Sequence, residues 1–165
     1  MAKKDSTLTK EYLHSLFDYK DGNLYWKINR YGASRKKPAG SVNSRKYHVV
    51  YIDYKQYSMH RIIFLMHHGY LPKIIDHIDG NPENNKIENL RKANVFQNCQ
   101  NSKINKRNTS GSKNVTFCKT INKWRVRVSV NGKRMSFGNY DDIELADLVA
   151  QEVRDKYHKE FVKHY

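Results

Sequence analysis

The stretch from Asp76 to Asn98, DHIDGNPENNKIENLRKANVFQN, constrains the fold more than any other part of the chain. It begins with an acid and an imidazole side by side, Asp76 and His77, and ends with a carboxamide. The loop that follows them is too rich in Asn, Gly and Pro to form a regular element. The pattern predicts a strand that runs into Asp76, a second strand over residues 89–93 and a helix capped by Asn94. Strand, loop, strand and helix form the smallest scaffold that can bring both ends of this stretch together.

The side chains of this stretch are those that metal-assisted hydrolysis of a phosphodiester requires. Asp76 offers a hard oxygen ligand, and Asn98 offers a carbonyl oxygen that adds no charge. Neighbouring residues of a strand point to opposite faces, so Asp76 and His77 can serve a metal and a water separately. Histidine ionises near neutral pH, which suits a general base, and the amide of Asn89 is suited to orienting the imidazole.

A purely structural interpretation of the same residues remains open at this point. An Asp-His pair followed by Gly and Asn also makes an ordinary turn, and an Asn on a helix is most often a surface or capping residue. Asp79 and Asn85 fall within the loop, where we interpret them as shaping its backbone, with a role in the site as the lesser alternative. The composition of the loop and its basic flanks favour the chemical interpretation.

The charge of the chain indicates the kind of partner. Thirty-one Lys and Arg against 16 Asp and Glu give a formal net charge of +15, which favours a polyanion. A membrane surface would require a basic amphipathic helix with a broad apolar face, and a membrane span about 20 apolar residues; neither is evident. Two cysteines are too few for a disulfide framework or a four-cysteine zinc site. We therefore expect a cytoplasmic nucleic-acid-binding protein that is not secreted.

The residues before this stretch predict a small sheet with helices. Residues 6–19 have the apolar spacing of a helix, with Thr7 or Thr9 as its cap. Paired strands are predicted at 47–53 and 56–59, followed by a helix from His60 to His68. The basic run in the preceding loop is either a phosphate contact or a solvated surface; its members are Arg35, Lys36 and Lys37.

The residues after this stretch predict a second domain of three strands and one helix. Alternation in KWRVRVSV places Arg125 and Arg127 on one face of a strand and Trp124 with the valines on the other. The helix, Asp142–His158, has one apolar face, formed by Leu145, Leu148, Val149, Val153 and Tyr157. Arginines that project from a sheet can read guanine edges in the major groove, although a solvated polar face is the commoner case.

The segment DHIDGNPENNKIENLR, with QNCQN after it, resembles the HNH endonucleases, in particular phage and intron-encoded homing-type members. The resemblance covers residues 7–105 and implies a ββα-metal core at about 73–105. It implies His77 as general base, Asp76 and Asn98 as ligands of one Mg²⁺ or Mn²⁺, and Asn89 as the structural Asn of the motif. Many members have His where this chain has Asn98, so the chain matches the H-N-N variant, and no structural zinc is expected.

Residues 109–162 resemble the AP2/ERF DNA-binding domain, on the residues KWRVRV, NGKR and FGNY and on the helix that follows. The resemblance implies a three-stranded antiparallel sheet, packed against one helix and docked in the major groove. The expected DNA contacts here are Lys119, Trp124, Arg125, Arg127, Lys133 and Arg134, with Arg91 as a further contact from the central stretch.

These observations predict an α+β protein with a nuclease domain at 1–105, a linker at 106–112 and an AP2/ERF-like domain at 113–165. The expected activity is metal-dependent cleavage of double-stranded DNA by a monomer or weak dimer, of the phage homing type. A DNA-binding regulator with a vestigial nuclease site is the first alternative. A protein that binds or cuts RNA is the second, because charge alone does not separate the two polymers.

Overall fold

The computed structural model describes residues 8–28 and 34–163. Contacts between residues divide the chain into two compact units, Met1–Ala93 and Asn94–Tyr165. Each unit combines short helices with small antiparallel sheets, which confirms the predicted α+β class. The division falls ahead of the predicted domain boundary at residue 105, because the short helix after Asn94 packs with the C-terminal unit. The linker at 106–112 stays a prediction.

The N-terminal unit opens with a helix and a hairpin. Helix α1 spans Lys10–Leu16, and strands β1 (Phe17–Lys20) and β2 (Asn23–Trp26) pair across a turn at Asp21-Gly22. The prediction of a helix through residue 19 was wrong, because Phe17 leaves the helix and pairs with Trp26.

The start of α1 is fixed by a side-chain cap. The hydroxyl of Thr9 accepts a hydrogen bond from the backbone N–H of Tyr12 at 3.1 Å, as expected of an N-cap. The alternative cap, Thr7, lies outside the described residues.

A three-stranded sheet and a buried helix form the core of this unit. Strands β3 (Ser41–Val42), β4 (His48–Ile52) and β5 (Lys55–Ser58) pair in chain order, and helix α2 (Met59–His68) follows directly. Gly69 ends α2 with φ 73°, the left-handed cap that glycine adopts without strain. The largest fully buried apolar side chains are Leu13, Phe17, Leu24, Val50, Ile52, Met59, Ile62, Ile63 and Met66.

A second hairpin carries the central stretch. Strands β6 (Ile74–His77) and β7 (Leu90–Ala93) are antiparallel, and a 3-10 turn at Ile87–Asn89 leads into β7. Ile75 and Leu90 join the same hydrophobic core as α2. The loop between the strands is therefore held at both ends by buried apolar residues.

The C-terminal unit begins with helix α3 (Val95–Gln100), which has an N-terminal capping box. The side chain of Asn94 accepts from the backbone N–H of Gln97 at 2.9 Å, and the Gln97 side chain accepts from the N–H of Asn94 at 2.8 Å. This confirms the predicted cap at Asn94. Phe96 of this helix lies against Gly132, where any side chain would meet its ring at 2.7 Å.

The side chain of Lys113 stabilises the C-terminal end of α3. Its ammonium donates to the carbonyl oxygens of Gln100, Ser102 and Lys163, at 2.8, 2.6 and 3.2 Å. Burial, with Arg154 and Lys163 nearby, lowers the pKa of Lys113 to about 8. Carbonyls at a helix C-terminus lack partners within the helix, so this ammonium satisfies groups that the short helix leaves open.

A three-stranded sheet and a long helix complete the C-terminal unit. Strands β8 (Val115–Cys118), β9 (Lys123–Val130) and β10 (Lys133–Tyr140) form a sheet in the order β10-β9-β8. Helix α4 (Ile143–His158) packs against it, and a 3-10 turn at Lys159–Phe161 follows. Three strands and one packed helix are what the sequence pattern predicted.

The face of α4 that meets the sheet differs from the predicted one. Ala146 and Ala150 are fully buried, whereas Leu145 and Leu148 are 49% and 58% exposed. Two alanines allow the helix to approach the sheet closely, and this small-residue face is displaced from the row of larger apolar side chains. The two valines of the predicted apolar face do pack against this core, whereas Leu145 and Leu148 lie outside it.

In the part of the chain that the structure describes, the helices are all too short or too polar to span a bilayer.

Candidate active site

The hairpin of β6 and β7 places Asp76 and His77 side by side in the interior of the N-terminal unit. Asp76 is 5% exposed and His77 is 6% exposed. Asp76 pairs with Arg91 across the hairpin, and His77 pairs with Leu90. As neighbours on one strand, the two side chains are expected to leave opposite faces.

Asn89 holds the loop together instead of contacting the imidazole. Its amide nitrogen donates to Asp79 Oδ1 at 3.0 Å and to the backbone oxygen of Asn84 at 2.8 Å. Its amide oxygen accepts from the N–H of Asp79 at 3.0 Å, and its own backbone oxygen accepts from Ile78 at 2.9 Å. Asn89 therefore bonds the loop and not the imidazole of His77, and its role as the structural Asn of the motif stays a prediction.

The carboxylate of Asp79 accepts hydrogen bonds from several residues of this loop. Partial burial raises the pKa of its carboxyl group, but hydrogen bonds from the Asn81 N–H and from the Asn84 and Asn89 side chains outweigh burial, so the net pKa is lowered. Asp79 Oδ2 accepts from the Asn84 amide at 2.7 Å. The loop-shaping interpretation of Asp79 agrees with these bonds.

The side chain of Asn85, predicted to shape the loop with a site role as the lesser alternative, contacts His77. Asn85 Oδ1 lies 3.2 Å from His77 Nε2, and Asn85 is 3% exposed. The amide nitrogen of Asn85 donates to the backbone oxygen of Glu83 at 3.4 Å. Four asparagines lie in this loop region, and the sequence offers no signal for which of them reaches the imidazole.

Two aromatic rings also pack against His77, and neither was predicted from the sequence as part of the site. The ring of His60 stands edge-on to that of His77 with centroids 5.2 Å apart, and Tyr47 lies 6.1 Å from His77 and 5.6 Å from His60. Nδ1 of His60 is buried and has no hydrogen-bond partner among the residues that the structure describes. Burial, with the charges of His77 and Arg61 adding to it, lowers the pKa of His60 to about 3. This ring is therefore neutral at physiological pH.

The neutral state of His60 predicts that acid weakens the N-terminal unit. Between pH 6.5 and about 3 the unfolded chain binds a proton at His60 that the folded chain does not bind. Acidification across this window therefore favours unfolding. The contribution of His60 to the free energy of unfolding is about 2 kcal/mol lower at pH 5 than at pH 7. Denaturant unfolding of the protein and of His60→Phe at both pH values measures it. The variant should lose the part of the difference between pH 7 and pH 5 that His60 contributes. If the difference is the same in both proteins, the lowered pKa of His60 is contradicted.

Arg91 is placed differently from the prediction that it contacts DNA. Its Nε donates to Asp76 Oδ2 at 2.9 Å, and the two side chains are 15% and 6% exposed. The antiparallel register sets this pair, because Arg91 stands directly opposite Asp76. Arg91 therefore partners the carboxylate that was predicted to bind metal.

Asn98 lies on the exposed side of α3 and belongs to the C-terminal unit, whereas Asp76 belongs to the N-terminal unit. The pairing of these two residues as metal ligands stays a prediction. Within residues 8–28 and 34–163, no cluster of three or more His, Cys, Asp or Glu side chains is arranged to hold a metal. The predicted donors, a carboxylate and a neutral amide, fit a hard divalent cation by their chemistry.

The predicted DNA-contacting residues of the C-terminal unit divide between two faces of the sheet. Arg125 and Arg127 are half-buried, and Arg125 Nε donates to Asn139 Oδ1 at 3.0 Å across the sheet. Trp124 instead packs against the hydrophobic core and against Phe117, with ring centroids 4.9 Å apart. This position agrees with strand alternation and is at odds with the expected DNA contact. The remaining predicted contacts are all exposed: Arg35, Lys36, Lys37, Lys119, Lys133 and Arg134.

A comparison with known proteins matches the part of the chain that contains this site. Residues 57–98 match the family model for HNH endonuclease, a range that contains α2, the hairpin and Asp76, His77, Asn85 and Asn89. Protein 3.8 of Escherichia phage T7 is 36% identical over 112 residues, which cover 67% of this chain and 92% of that protein. No solved structure matches the chain. The chain therefore belongs to the family of phage protein 3.8 and carries an HNH endonuclease domain.

Proposed function

We propose that this protein is a metal-dependent DNA endonuclease of the phage homing type, with His77 as general base. The observation that supports it most directly is the buried imidazole next to a buried carboxylate, with its ring oriented by neighbouring side chains. The matched HNH domain makes DNA the expected substrate. The net charge of +15 favours a polyanionic substrate by releasing counterions from it.

The proposed chemistry assigns a separate task to each residue. The imidazole of His77 takes a proton from the attacking water, and Asn89 keeps the loop in the shape that leaves His77 at the end of its strand. Asp76 and Asn98 would hold one Mg²⁺ or Mn²⁺. That ion, when bound, neutralises charge on the phosphate and on the leaving 3′ oxygen. Hydrolysis of this kind leaves 3′-hydroxyl and 5′-phosphate ends.

The C-terminal unit is proposed to be an AP2/ERF-like DNA-binding domain. Its support is the order of three strands followed by a packed helix, and the two half-buried arginines beside each other on β9. A sheet face with projecting arginines suits the major groove of B-form DNA, which discriminates against RNA. A monomer with one site would nick, and a weak dimer would cut both strands.

Nicking of supercoiled DNA tests the proposed function. We expect relaxed circles with Mg²⁺ or Mn²⁺ and none with EDTA, and ligatable 5′-phosphate ends after cleavage. Cleavage mapping on phage and host DNA would show whether the site is specific, as a homing-type enzyme requires. Intact DNA with every divalent ion would reject the endonuclease.

One observation favours the alternative of a DNA-binding regulator with a vestigial site. Arg91 bonds the carboxylate that is proposed to hold the metal, as a side chain would in a protein that no longer binds one. Specific DNA binding with unaltered affinity in EDTA, and no cleavage, would support the regulator. Binding to RNA in preference to duplex DNA at the same salt concentration would reject both DNA proposals.

Arg125→Ala is expected to weaken specific DNA binding more than non-specific binding. Loss of a bidentate contact to a base costs about 1–3 kcal/mol of discrimination, whereas loss of a phosphate contact weakens all sequences alike. Titration of a mapped target and of an unrelated duplex at one salt concentration measures the ratio. Lys119→Ala, at an exposed position outside the strands, is the comparison for loss of a phosphate contact, which weakens binding to both duplexes alike. A uniform loss with Arg125→Ala would assign Arg125 to phosphate.

A further inference from the structure

The loop between β6 and β7 contains a second carboxamide whose surroundings differ from those of Asn89. Asn89 makes its hydrogen bonds to the loop, at Asp79 and Asn84. Asn85 is more deeply buried, and its oxygen is 3.2 Å from the ring nitrogen of His77. The two asparagines therefore contact different groups, although both belong to the same motif.

The chemistry of this contact fixes where His77 carries its proton. An amide oxygen only accepts hydrogen bonds, so the 3.2 Å contact requires His77 Nε2 to be the donor. The orientation of the Asn85 amide has independent support, since its nitrogen points to the backbone oxygen of Glu83. A neutral imidazole with its proton on Nε2 has its lone pair on Nδ1.

We infer that Asn85 is the positioning residue of the site: it holds His77 in the Nε2–H tautomer and so makes Nδ1 the atom that receives the proton from water. The role in catalysis rests on the proposed function, whereas the tautomer does not. The rings of His60 and Tyr47 pack around the same imidazole and restrict its rotation, so that the bond to Asn85 selects one orientation. Burial of Asn85 protects that bond from competition by water.

The neighbouring Asn84 provides a matched control. Its side chain bonds Asp79 at 2.7 Å and makes no bond to His77 among those that the structure describes. Asn84→Ala therefore disturbs the loop without removing the acceptor at Nε2. Asn85→Asp keeps an acceptor oxygen at the same place, and Asn85→Leu removes it at similar volume.

Long-range ¹H–¹⁵N correlation spectra of the full chain, labelled on histidine and recorded at alkaline pH, test the inference. The His77 signals are assigned by their absence in His77→Gln. We expect the Nε2–H pattern in the natural protein, in Asn84→Ala and in Asn85→Asp, and a mixture of tautomers in Asn85→Leu. An Nδ1–H pattern in the natural protein, or an unchanged Nε2–H pattern in Asn85→Leu, would overturn it. If Asn85→Leu does not fold, the natural protein and Asn85→Asp decide the outcome, because both must show Nε2–H.

Cleavage assays on the same proteins separate this inference from the proposed function. Asn85→Leu should lower kcat by about 10-fold or more with KM for DNA unchanged, because only the base is misoriented. Asn85→Asp should recover part of that loss. A protein with the Nε2–H pattern that never cuts DNA would refute the endonuclease and leave the tautomer standing. A fall in kcat with an unchanged tautomer would overturn the positioning role alone.

Discussion

Replacing His77 by alanine is expected to lower the rate of DNA nicking by about 10²–10⁴-fold, the contribution of a well-placed general base. DNA affinity should stay near that of the natural protein, since the side chain is 6% exposed and offers little surface for DNA to bind. Single-turnover nicking with saturating Mg²⁺, alongside binding in EDTA, separates the chemical step from binding.

The control for this experiment is a histidine of the same unit outside the site. His68→Ala removes an exposed imidazole at the end of α2, where it stacks on Phe64 with centroids 4.2 Å apart. It should nick DNA at close to the normal rate. Equal activity of His77→Ala and His68→Ala would refute the assignment of the base and favour the DNA-binding regulator.

The strands that carry the site could be predicted from the sequence, whereas its side-chain contacts could not. Ile74 and Ile75 before an Asn- and Gly-rich loop indicate a buried strand that ends at His77, and Asn94 indicates the start of the next helix. The asparagine that reaches the imidazole lies in an irregular loop, where side-chain directions follow no repeating pattern that the sequence could reveal. The contact of Asn85 with His77 therefore becomes visible only in the folded chain.

The wrong end of α1 and the misjudged packing face of α4 have the same kind of cause. Phe17 continues the apolar spacing of α1, but pairing with Trp26 in the hairpin decides its conformation. Leu145 and Leu148 continue an apolar row on α4, but the small side chains of Ala146 and Ala150 decide which face meets the sheet. In each case a tertiary contact overrides a local pattern that is otherwise correct.

The pair of Arg91 and Asp76 depends on register, which the sequence does not specify. Arg91 was predicted to contact DNA. The antiparallel pairing of β6 and β7 instead sets it opposite Asp76, with both side chains largely removed from solvent. Asp76 consequently has two candidate roles, one in stability and one in metal binding, and a single substitution changes both.

Asp76→Ala is expected to abolish nicking and also to lower the free energy of unfolding of the N-terminal unit by about 3–5 kcal/mol, because it leaves the Arg91 guanidinium in a largely buried position without its carboxylate. Denaturant unfolding and the nicking assay measure the two effects. Loss of activity in this variant alone does not identify a metal ligand, since an unstable protein would also fail to cut DNA.

The double variant Asp76→Ala/Arg91→Met separates the two roles. Replacing both members of a buried ion pair by apolar side chains is close to neutral for stability, so most of the lost free energy of unfolding should return. Nicking should stay absent, and Mn²⁺ binding measured without DNA should stay weaker than in the natural protein, because the hard oxygen ligand is missing. Arg91→Met alone keeps the carboxylate and should still bind Mn²⁺. If the double variant regains stability and nicks DNA at a normal rate, Asp76 is a partner of Arg91 and no more, and the metal site has to be sought elsewhere.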